Sequence, residues 1–290
     1  MSTASTYPAA APRQAASSID GLVRSIAIPP RPSLVVELQA EIASDDPDFR
    51  RIARIVAVDV GLTAAVLRSV NSPFYALSRR AETLDQAVSL IGLRQIGALI
   101  TGLVLRRVLR ADGPDLGPYW SMFERRCYAM TQLAAGIRGV PADVAHSFGL
   151  FCDVGILLLL PRFAGYAQTI ERAAQSTDHT FTEVEQAAHK TDHALVGALV
   201  ARTWGLSTAV CQAIRLHHDP VALADPETPE VVALLVAMGV LSELAIQRHA
   251  GHADSAEWTR SGAAASATLR LSTVEVEAWM ARLAGDIPAD

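Results

Sequence analysis

Eight histidines are spread over 290 residues, and two of them stand side by side in "AIRLHHDP", where His217 and His218 precede Asp219. Neutral imidazoles beside carboxylates are what a divalent cation needs to lower the pKa of a bound water. Adjacent positions on a regular helix point about 100° apart, so two neighbouring histidines seldom ligate one ion. The alternative is structural: one imidazole faces inward with a hydrogen bond while the other sits at the helix end, where the dipole favours it. His146, His179, His189, His249 and His252 show no ligand spacing. Cys127, Cys152 and Cys211 form no C-x-x-C pair, and their odd number suits a reducing compartment and small buried side chains. There is no Gly-rich phosphate loop, no G-x-S-x-G elbow and no H-E-x-x-H.

Helices must position these groups. Apolar residues recur at helical spacing in nearly every segment, without alternating β-branched runs between hairpin turns, so the expected fold class is all-α. Thr83 with Gln86, Thr180 with Glu183, and Ser272 with Glu275 have capping-box spacing, in which a side-chain oxygen accepts an orphan backbone N–H. Pro47, Pro141 and Pro229 are placed for first helical turns. Residues 1–18 are small and aperiodic and read as a loose arm without a secretory h-region. A first helical region spans 19–110, "RADGPDLGP" interrupts it, and a second spans 118–222. Residues 223–290 add an extension with an apolar helix near 229–248 and a capped terminal helix near 272–284. The apolar helix is expected to pack across the two regions, a dimer contact being the alternative. The most apolar windows, "GILLLL" and "VVALLVAMGVLSELAI", fall short of a membrane span, which predicts a soluble, cytoplasmic protein with no membrane partner.

A net charge of −5 offers no general attraction for nucleic acid. "RRIARIVAVDVGLTAAVLRSVN" nevertheless has the outline of a helix-turn-helix, with Gly61 in the turn and Arg68 and Asn71 as base readers. In the simpler reading, Asn71 caps a helix and Phe74 and Tyr75 are core. Pro73 ends that helix by keeping its predecessor out of the helical region.

The stretch "DVGLTAAVLRSVNSPFYAL" from Asp59, followed by "TLDQAVSLIGLRQI" with its stop at Gly92, resembles the HDOD family, whose members show "LaarlLrlaNSafy" and then "qAi.llGl". The likeness runs from about Ile26 to His218, roughly two thirds of the chain. It implies a helical bundle of two subdomains related to the HD phosphohydrolases, whose histidines and His-Asp pair bind divalent metal. By that resemblance "TDHALVGALVARTWGL" supplies His193, Gly197 and Trp204, and "AIRLHHDP" supplies His217 and His218.

Two ligand positions depart from the pattern. "FERRCYAMT" has Arg126 where relatives carry the first histidine, and "FGLFCDVG" has Cys152 before Asp153 where they carry His-Asp. Arginine cannot ligate and repels a cation, whereas a thiolate can bind zinc. The implied pocket of Arg126, Cys152, Asp153, His193, His217 and His218 is therefore degenerate. No cofactor is expected; a residual zinc would use Cys152, Asp153, His193 and His217. Arg126 and Asp153 should form an ion pair, because a buried carboxylate without a partner is costly. The expected function is non-enzymatic bacterial signalling through another signalling protein, with room for a small ligand in the old pocket. A metal-dependent phosphohydrolase or phosphodiesterase with an altered ligand set is the alternative, and nucleic-acid binding a second.

Overall fold

The computed structural model describes residues 26–109 and 115–287, and every regular element among them is helical. The 1–18 arm and most of the "RADGPDLGP" connector lie outside the described residues.

The first region holds α1 (Ser33–Ile42), α2 (Phe49–Ala57), α3 (Val60–Val70), α4 (Leu84–Ile91) and α5 (Leu93–Val108). Asp59 caps α3 through the Leu62 N–H and pairs with Arg107 of α5. Gly61 lies inside the first turn of α3, so the two-residue corner is Val58 and Asp59. At the other end Asn71 is the C-cap. Its amide donates to the Leu67 and Ala81 carbonyls at 2.8 Å and its oxygen accepts from the Ala81 N–H, tying off the loop between them. With both amide hydrogens committed, Asn71 cannot make the bidentate contact to an adenine edge, which removes one of the two readers that the helix-turn-helix reading requires. Pro73 opens a 3₁₀ turn, Pro73–Tyr75, and Phe74 and Tyr75 are half-buried rather than core. Gly92, at φ +81°, turns the chain through 119° between α4 and α5, a backbone state open to glycine at little cost.

The second region holds α6 (Gly117–Gly136), α7 (Ala142–Phe151), α8 (Val154–Leu159), α9 (Tyr166–Gln175), α10 (Phe181–His189), α11 (His193–Thr203) and α12 (Thr208–Leu216). A second 3₁₀ turn, Pro220–Leu223, leads to α13 (Glu230–His249), α14 (Ala256–Thr268) and α15 (Thr273–Asp286). Thr180 and Ser272 form the expected capping boxes, while Pro141 and Pro229 stand one residue earlier than expected, at the N-caps. Pro47 lies outside α2, which Asp48 caps.

One hydrophobic cluster runs from Val35 to Ile287 and includes residues of both regions and the extension. Helices α5 and α7 join the regions, and Trp204, fully buried, donates its indole N–H to the Pro29 carbonyl at 3.1 Å. Helix α13 packs against α6, α12, α14 and α15, not across the two regions as its apolar girth suggests. Its 20 residues, and the 18 of Ala142–Leu159, are long and apolar enough to cross a membrane, which corrects the shorter windows above. About two thirds of the first and nearly three quarters of the second are buried inside the protein.

Candidate functional site

Several helices bring their ends and faces to one cavity of about 230 Å³ walled by Tyr119, Met122, Phe148, Phe181 and Val240. Helix α6 carries Arg126, the break between α7 and α8 carries Cys152 and Asp153, α11 begins at His193, and α12 ends at Leu216 immediately before His217 and His218. Because α12 stops there, with His217 as its C-cap, both rings turn inward. Their centroids are 4.1 Å apart and tilted by 41°, so the division into one inward and one terminal histidine does not hold.

Close helix approach is built in at Gly155. A Cβ there would lie 2.1 Å from the His193 carbonyl oxygen, so α8 and α11 meet at a distance only glycine allows. Gly197 faces the Cys152 and Phe151 carbonyls from the other side.

The expected ion pair is present. Arg126, 7% exposed, bonds Asp153 Oδ2 through one nitrogen and Glu243 Oε2 of α13 through another at 2.5 Å. The same guanidinium donates to Cys152 Sγ at 2.9 Å. Burial opposes the charge on Asp153, but Arg126, His193 and His217 together outweigh it and hold the carboxyl well below the usual range. Burial also pushes the Cys152 thiol up to about 12, in spite of Arg126, so it is a thiol accepting a hydrogen bond and not a thiolate.

His193 is fully enclosed. Burial disfavours its charge, yet Glu185 and Asp153 raise its pKa to about 10, which makes it an imidazolium at neutral pH. It donates from Nδ1 to Glu185 Oε2 at 2.6 Å and from Nε2 to His217 Nε2 at 3.2 Å, with Asp153 Oδ1 at 3.5 Å. His217 can accept because its Nδ1–H is committed to the Ile214 carbonyl at 2.7 Å and burial lowers its pKa to about 4. Behind Glu185, Tyr166 donates its hydroxyl to the other carboxylate oxygen. His218 stacks on Phe181 at 4.8 Å and meets Glu257 of α14 at 3.1 Å.

Sequence reasoning missed Glu185, Tyr166, Glu243 and Glu257. Glu243 carries a legible signal as a lone acid inside an apolar helix. Glu257 and Glu185 resemble ordinary acids on short capped helices.

Ligand atoms of Asp153, His193, His217 and His218 lie within 4.8 Å of one another. His218 thus stands where the sequence suggested Cys152, whose sulfur is turned to Arg126. A divalent ion needs free lone pairs. Asp153 keeps Oδ1 clear of Arg126, but the His193 Nε2 lone pair holds a proton and the guanidinium charge lies on the other Asp153 oxygen, so these residues fit a cation poorly: His193 would have to deprotonate and the ion would sit close to the Arg126 charge.

Residues 28–220 match the HDOD domain family. The chain belongs to the HDOD family. An uncharacterised protein of Treponema pallidum is 25% identical over 222 residues, 76% of this chain and 42% of its own length. The chain thus spans less than half the length of that relative. A Marinobacter aquaeolei structure provisionally named for signal transduction superposes with a TM-score of 0.72 at 22% identity, over 95% of this chain and 63% of that one. A Shewanella amazonensis structure provisionally named a phosphohydrolase gives 0.61 at 19%, over 92% and 98%. At such identities both show the HDOD fold alone.

Proposed function

We propose that this chain is a regulatory HDOD protein of bacterial signalling that works by binding another protein, its ancestral metal pocket converted into a fixed internal ion-pair network. The observation that carries the reading is Arg126: buried, shared by Asp153 and Glu243, and in contact with Cys152, it supplies the positive charge that a cation would bring. A permanent guanidinium beside a protonated His193 disfavours a second positive charge at this position, which supports reading the network as one that rigidifies the bundle and does not turn over substrate. The proposed location is the cytoplasm, with no nucleic acid or lipid among its partners.

Protein purified after growth with added zinc and manganese is expected to carry substoichiometric metal and to leave generic phosphomonoesters and phosphodiesters intact. One metal per chain, with turnover that disappears in His193→Ala, would favour the second reading, an altered metal-dependent phosphohydrolase. The convergence of four donor side chains is the observation on that side.

A further inference from the structure

A second cavity, about 360 Å³, lies between the two regions and shares no residue with the histidine pocket. Its size falls at the lower end of small-molecule sites, roughly 300–1,000 Å³. The tied-off Asn71 loop places Phe74 and Tyr75 on one wall, and α5, α6 and α7 supply Leu99, Leu103, Trp120 and Leu150. Phe74 meets the His146 ring edge-on at 5.9 Å.

Two polar atoms in this apolar wall have no protein partner among the described residues. They are Tyr75 Oη and His146 Nδ1, both buried, and His146 as a whole is only 6% exposed. Leaving such groups unpaired is costly, and neither contributes to the histidine network. Burial raises the Tyr75 phenol and lowers His146 to about 4, so both are neutral hydrogen-bonding groups. The rim is charged. Arg106 pairs with Glu124 at 2.5 Å and lies over the Trp120 ring, whereas Arg68, exposed, has no carboxylate partner among the described residues.

We infer that this cavity is a binding site for a small hydroxylated aromatic carboxylate. The ring lies among Phe74, Trp120 and the leucines, the hydroxyl bonds Tyr75 and His146, and the carboxylate faces Arg68. Aromatic walls favour a ring, the unpaired Tyr75 and His146 atoms call for a polar group held inside, and the unpaired guanidinium calls for an anionic end.

Calorimetric titration of the full chain with para-hydroxycinnamate, and with cinnamate as the analogue lacking the hydroxyl, tests the assignment. Tyr75→Phe removes an unbonded hydroxyl and should fold normally. It is expected to weaken para-hydroxycinnamate roughly five- to tenfold while leaving cinnamate unchanged. Arg68→Ala, at an exposed position, should weaken both probes about tenfold. Absence of para-hydroxycinnamate binding to the wild-type chain would overturn the inference, and so would binding that both variants retain at full strength.

Discussion

At Arg126 one buried guanidinium satisfies the buried Asp153 and the partly exposed Glu243 and touches the Cys152 sulfur. Removing it takes from Asp153 and Glu243 the guanidinium that both share. Arg126→Met is therefore expected to lose about 3–5 kcal/mol in urea unfolding, and adding Asp153→Asn should recover part of that loss; a single variant as stable as wild type would contradict the network. His146 makes a separate statement about pH. Burial alone holds its pKa near 4, against about 6.5 in the unfolded chain. Between those values the unfolded state binds the extra proton, so this stability is complete above pH 6.5 and is lost as the pH falls toward 4. The loss is on the order of 3 kcal/mol. His146→Phe should flatten that part of the stability profile, and parallel wild-type and variant curves over the interval would refute the assignment.

Helix ends, more than helix faces, place the chemistry. The capping box at Thr180 fixes the start of α10 and with it Glu185, Asp192 caps α11 so that His193 is its first residue, and the stop at Leu216 frees two imidazoles to turn inward. The caps and the Gly92 stop were readable because their side chains act within a few residues of themselves. The inward turn of both histidines at the end of α12 was not, since a helix end beside His217 and His218 was legible but the partners that draw both rings into the pocket lie far away in sequence. Helix α14 also escaped notice. Its sequence is largely alanine and small polar residues, a weak amphipathic signal, yet it delivers Glu257 to His218. Gly155 tests how closely the elements are set. Gly155→Ala must push the His193 backbone away, so a loss of about 1–3 kcal/mol in the denaturant midpoint is expected, and an unchanged midpoint would show that α8 and α11 have slack.

Across the whole molecule, punctuation by Gly and Pro marked regions of sequence, whereas packing joins them into one cluster of buried side chains. Residues 223–287 are part of that interior. Helix α13 closes the histidine pocket with Glu243, a contact 117 positions from Arg126 that no local pattern could reveal. The resemblance stops near His218, and the family match at residue 220, just short of the helices that complete the site.

The indole of Trp204 bonds the Pro29 carbonyl across 175 positions, and Gln39 reaches the Trp204 carbonyl across 165. A ribosome adding roughly 5–20 residues per second needs about ten to thirty seconds between making one partner and the other. Throughout that interval the segment around Pro29 has been made but lacks its anchor.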